Sequence, residues 1–260
     1  MVSTGGLIGI VFNLVVSLLG PFAVYFALWR RMTLSWRNIG IGAGMFVLTA
    51  LVLEQILHYA VLKADPVTAA WFKANHWAFA VYGALAAGLF EETGRYIGLR
   101  FLARRTGNPG TAVAYGLGHG GMEMLLIGAL AQAAALGLAL LNNRGLLDAL
   151  LGTKLPPDAL AALHAQFAHL TFATASIAGF ERIMALALHI ALTFVVWRAV
   201  ELRKTRFLFA AIAFHALADF GAGLFQAKIV TSVFIAEGGA FAALVLVVLF
   251  VRWTRRAPSA

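Results

Sequence analysis

Seven apolar runs, roughly 6–29, 39–62, 77–101, 111–140, 171–198, 206–226 and 229–252, leave this chain little choice of fold. Each reaches the ~20 residues that an α-helix needs to cross hydrocarbon. Within a bilayer the backbone must satisfy itself, and runs of this length do so as helices. The predicted fold class is therefore all-α, a polytopic membrane bundle of about seven transmembrane helices. Composition agrees. Hydrophobic residues make up 62% of the chain and charged residues only 12%, with a mean hydropathy of +0.86, far from a soluble domain. The fourth run is long enough to tilt or break.

The net charge of +9 does not point to nucleic acid, because the basic residues sit in short clusters between apolar runs. Arg30, Arg31 and Arg37 follow the first run, and Arg100, Arg104 and Arg105 the third. Arg198, Arg203, Lys204 and Arg206 follow the fifth, and Arg252, Arg255 and Arg256 the last. The alternate loops hold only Lys63, Lys73, Arg144, Lys154 and Lys228. This bias predicts an N-terminus outside and a cytoplasmic C-terminus. No Lys or Arg precedes Arg30, so the first run reads as a permanent helix rather than a cleaved leader. The chain has no cysteine, which excludes disulfides, thiolate metal ligands and a cysteine nucleophile.

No repeat or second domain is evident, so residues 1–260 read as a single membrane domain. One connection, about 142–170, has its own pattern. Pro156-Pro157-Asp158 is a helix start, and Leu160, Leu163, Phe167 and Leu170 follow at helical spacing. This segment is expected to lie on the outer membrane surface, or to act as a lid.

Ionisable groups lie deep within four of the runs, where a charge costs from about 2.5 to 17 kcal/mol if left alone. They are Glu91, Glu92 and Arg95, then His119 and Glu123, then Glu181 and His189, and finally His215 and Asp219. Counted along each helix at ~1.5 Å per residue, all fall within one or two turns of a common depth. Glu91 and Arg95, His119 and Glu123, and His215 and Asp219 are i,i+4 pairs, so each pair shares a helix face. Arg95 can neutralise one carboxylate of the Glu91-Glu92 pair and leave the other for proton exchange. Such a site, water-accessible and at mid-membrane depth, suits general acid–base chemistry. Glu54 and His58, also i,i+4, read as a structural hydrogen-bonded pair, and Arg182 as the partner of a neighbouring acid. Gly94 and Gly98, and the glycines around His119, allow close helix approach.

The motif order, Glu91-Glu92-Thr93-Gly94-Arg95, then Glu123, then His215-x-x-x-Asp219, resembles the glutamic-type intramembrane proteases, which include CAAX prenyl proteases and PrsW. The added Glu181 and His189 resemble those of the YhfC-like membrane peptidase family. The resemblance runs from about Glu91 to Asp219. The Glu-Glu-x-x-Arg spacing is one residue shorter than in CAAX proteases, His119 stands where relatives have Phe, and Asp219 replaces their Asn. Prenyl-cysteine specificity is therefore not implied.

What the resemblance implies is hydrolysis of a peptide bond by an activated water, without a covalent intermediate or cofactor. Glu91 would be the general base, acting with Glu123 or His119. Arg95 would hold Glu91 and Glu92, and His215 and Asp219 would stabilise the oxyanion. Glu181 and His189 would support them. The implied partner is a polypeptide in or beside the lipid bilayer, in a bacterial-type cell membrane. A zinc enzyme is the alternative, with His119, His189, His215 and Glu123 as ligands, although the H-E-x-x-H signature is absent. A proton-coupled transporter, a bis-histidine haem protein and a catalytically silent scaffold are the other readings left open.

Overall fold

A computed structural model describes residues 1–103 and 109–256, among which helices are the only regular elements. Arg104 and Arg105, used in the orientation argument, lie outside the described residues. The helices are α1 (Thr4–Leu28), α2 (Trp36–Ala64), α3 (Pro66–Ala74), α4 (His76–Ile97), α5 (Gly110–Asn143), α6 (Leu147–Leu151), α7 (Pro157–Ala168), α8 (Phe172–Leu202), α9 (Arg206–Gln226) and α10 (Val233–Arg256). Six of them, α1, α2, α5, α8, α9 and α10, are long and apolar enough to cross a membrane. The third predicted run is also helical, as α4, but Glu91, Glu92 and Arg95 make it more polar than those six. The chain is thus an all-helical, multi-pass membrane protein. Large side chains such as Ile8, Phe26, Leu85, Phe209 and Leu249 are exposed, as lipid-facing residues are.

Helix boundaries follow local chemistry. Asp65 caps α3 by accepting from the Val67 and Thr68 amides at 3.1 and 3.4 Å, with Pro66 at the first helical position. Those contacts, Val67 first, hold the Asp65 carboxyl below the usual carboxylate range. Several long helices change winding along their length. α2 is π-helical over Val47–Leu53 and Ala60–Ala64, α5 over Met124–Ala129, and Gly98–Leu102 extends α4 as a π-turn. Each extra residue in a turn re-aims the side chains beyond it, and such turns are frequent at functional sites.

The chain divides into two compact units, Met1–Ala23 with Glu123–Ile183, and Val24–Met122 with Met184–Ala260. The first has a core of Val2, Ile10, Ala139, Leu147 and Phe167. Small residues bring α1 against α8. A Cβ on Gly6 would lie 2.8 Å from the Leu170 carbonyl oxygen, and the Asn13 amide donates to the Ala175 carbonyl. α7 starts at the Pro-Pro-Asp sequence and packs Leu163 and Phe167 on this core. His164, off that stripe, bonds Asn142 at 2.9 Å and Asp148 at 2.6 Å.

In the second unit the later part of α8 is central. Leu192, Val195, Val196 and Val200 pack with Leu99, Tyr115, Ala211 and Val247. In lipid such association depends on close packing rather than on release of water. Two glycines show how close it is. A Cβ on Gly88 would lie 2.7 Å from the Ile212 carbonyl oxygen, so α4 and α9 touch by their backbones one turn from Glu91 and Glu92. A Cβ on Gly116 would lie 2.7 Å from the Ile190 Cα and 2.8 Å from Thr193 Oγ1, which sets α5 against α8 beside His119.

Candidate functional site

Those contacts bring polar groups from four helices of the second unit together. α4 presents Glu91, Glu92 and Arg95, α5 presents His119, α8 presents His189 and Thr193, and α9 presents His215 and Asp219. Arg95, Glu92 and His119 are fully buried, and Glu91, His189 and His215 are at most 7% exposed. Charges this deep are tolerated only when paired.

The Glu pair divides its work. Glu92 meets Arg95 Nε through Oε2 at 3.0 Å and accepts from His215 Nδ1 through Oε1 at 2.7 Å. Glu91 Oε2 accepts instead from His119 Nε2 at 2.8 Å. Adjacent residues on a helix point about 100° apart, and here they serve two neighbouring helices. His215 Nε2 also lies 3.4 Å from Asp219 Oδ2, so its ring sits between two carboxylates.

Arg95 is the fixed cation of this network. Its Nη1 donates to the His189 carbonyl at 2.7 Å and to Thr193 Oγ1 at 2.5 Å, and its Nη2 donates to His189 Nδ1 at 2.9 Å. A guanidinium can only donate. Nδ1 of His189 therefore accepts, and the proton of the neutral ring sits on Nε2. The Thr193 hydroxyl donates in turn to the His189 carbonyl at 2.6 Å. Ring centroids of His119 and His189 are 4.8 Å apart, and those of His189 and His215 are 5.4 Å apart.

A metal ion fits one corner of this cluster. Glu91, His119 and His189 each offer a ligand atom, and these atoms all lie within 4.8 Å of one another. Two imidazoles and one carboxylate form a known catalytic zinc set that keeps a coordination position open. Nδ1 of His119 is buried with no hydrogen-bond partner among the described residues, a state that a ligand would relieve. The expectation of a cofactor-free site is thus not supported. The zinc alternative named His119, His189, His215 and Glu123; the geometry keeps His119 and His189, adds Glu91, and leaves His215 bonded to Glu92.

Glu123 and Glu181 belong to the first unit. There Arg182 Nη1 donates to Glu123 Oε1 at 2.8 Å, and Nε and Nη2 donate to the Glu181 carboxylate. Arg182, read as the partner of a neighbouring acid, binds two. Thr193 was not anticipated, although a threonine four residues beyond His189 shares its helix face. Glu54 and His58 are bonded at 3.1 Å, as their spacing predicts.

Comparison with known proteins agrees with this picture. A family model described as YhfC intramembrane metalloprotease matches residues 15–240. The protein named "Uncharacterized membrane protein YhfC" from Bacillus subtilis (strain 168) is 32% identical over 230 residues, covering 88% of this chain and 89% of that protein. No solved structure matches the chain. With the family model spanning most of its length and a relative this similar over nearly all of it, the chain belongs to the YhfC intramembrane metalloprotease family.

Proposed function

We propose that this protein is a membrane-embedded peptidase that works with a metal ion such as zinc, held by Glu91, His119 and His189. The observation that carries the reading is this buried trio, with its ligand atoms within 4.8 Å of one another. The family description supports it over the metal-free glutamic type. When bound, such an ion supplies Lewis acidity at the scissile carbonyl and a water made nucleophilic near neutral pH.

The remaining residues serve the trio. An ion at His189 Nε2 would take the place of the proton that Arg95 directs to that nitrogen. Arg95 and Thr193 fix the His189 ring and its carbonyl, as supporting shells do for metal-ligating histidines. Glu92, neutralised by Arg95 and bonded to His215, anchors the cluster rather than taking a substrate proton. The His215 ring, between Glu92 and Asp219, is placed to stabilise an oxyanion as a cation. In this reading the substrate is a polypeptide in or next to the bilayer.

Chelation tests the reading. Protein reconstituted in liposomes with a panel of quenched-fluorescent transmembrane peptides is expected to lose cleavage after dialysis against a strong zinc chelator. One equivalent of zinc should restore it. Undiminished cleavage by protein shown to be metal-free would contradict the proposal.

A further inference from the structure

With Glu92 held by Arg95 and Glu91 assigned to the metal, the site still needs a carboxylate to take a proton from water. Asp219 on α9 and Glu54 on α2 are among the other carboxylates of the same unit. Asp219 faces the His215 ring. Glu54 has a different setting. It stands where α2 returns from π to α winding and is only 6% exposed. Along α2 it lies between Thr49, which packs on Gly94, and His58, which bonds Tyr82, so its level on α4 falls in the stretch that carries Glu91.

On its other side Glu54 begins a continuous hydrogen-bonded line. Oε1 bonds His58 Nε2 at 3.1 Å, and His58 Nδ1 bonds the Tyr82 hydroxyl at 2.9 Å. The Tyr82 ring centroid is 4.8 Å from that of Phe72. Phe72 lines a cavity of about 210 Å³ together with Leu62, Lys73 and His76. Imidazole and phenol can each accept a proton at one atom and release one, which suits them to a relay. The line runs from buried Glu54 to His58 and Tyr82, which are only half-buried, with Phe72 between Tyr82 and the cavity. A salt-bridge role would not need this continuation beyond His58.

We propose that Glu54 is the proton acceptor for hydrolysis and that His58 and Tyr82 carry its proton away from the site. The inference rests on the metal-dependent reading above. As the water oxygen bonds to the scissile carbonyl carbon, one O–H bond breaks and its proton passes to Glu54. When the C–N bond breaks, Glu54 returns that proton to the leaving nitrogen. The proton left on the new carboxylic acid then exits through Glu54, His58 and Tyr82, leaving a carboxylate and an amine. Glu54 acts on the reacting water, while His58 and Tyr82 are positioning residues.

The test uses the full chain in liposomes, loaded with zinc, and a quenched-fluorescent transmembrane peptide that the wild type cuts. Glu54→Ala is expected to keep its zinc while kcat falls about 10²- to 10⁴-fold, with partial recovery in added formate. Glu54→Gln, which preserves size, should show the same loss without recovery. In zinc-free protein in acidic buffer, the infrared carboxyl band removed by Glu54→Gln should exchange with deuterium more slowly in Tyr82→Phe than in wild type. Wild-type kcat in Glu54→Gln, a loss in Glu54→Ala that formate does not relieve, or unchanged exchange in Tyr82→Phe would overturn the proposal. Zinc retained by Glu91→Gln would instead overturn the metal assignment, so the two failures are distinguishable.

Discussion

Arg95→Met is expected to destabilise the protein by about 3–5 kcal/mol, the usual result of removing one partner from a buried ion pair. Among the described residues Glu92 would keep only His215, and the His189 carbonyl, His189 Nδ1 and Thr193 would all lose their guanidinium donor. Methionine fills similar space, so the effect reports charge and hydrogen bonding rather than a cavity. Arg95→Lys retains the charge but not the planar fork that serves two helices at once, and should recover only part of the loss. Thermal unfolding in detergent checks both variants. A midpoint unchanged by Arg95→Met would show that the network does not hold the helices together.

Glu91→Gln, His119→Ala and His189→Ala are each expected to lose bound zinc and to lower kcat/KM by about 10³-fold or more, given the several kcal/mol that a catalytic metal contributes. The zinc loss separates these positions from Glu54, whose replacement leaves the metal in place. It also separates them from Glu92, which acts through Arg95 and His215. Metal analysis of the purified variants, alongside peptide cleavage, measures both effects. A His119→Ala protein that held a full equivalent of zinc would remove His119 from the ligand set.

The membrane class is legible in the apolar runs alone, because no other backbone solution suits that length in lipid. The polar clusters were equally visible, since a charge at that depth must have a reason. What i,i+4 spacing could not supply was the division of labour. Glu91 and Glu92 are neighbours, and nothing local says which of them Arg95 takes; the packing of α9 against Gly88 brings His215 to Glu92. Glu91 thereby joins His119, and its implied role as base becomes a proposed role as ligand. Glu123 shares a face with His119 on paper. It is, however, the last α-helical residue before a π segment, and it accepts from Arg182 in the first unit. Changes of winding leave little trace in hydrophobic periodicity. The Glu54–His58 pair was legible from spacing, whereas its continuation to Tyr82 on α4 depends on tertiary contact.

The most direct measurement is zinc-edge X-ray absorption on the loaded protein. The spectrum should show only nitrogen and oxygen neighbours at ~2.0–2.2 Å, with the outer-shell scattering of two imidazoles. The zinc edge itself should fall to background in His119→Ala and in His189→Ala. A wild-type spectrum without imidazole scattering, or one that His119→Ala and His189→Ala leave unaltered, would contradict a metal centre built from Glu91, His119 and His189.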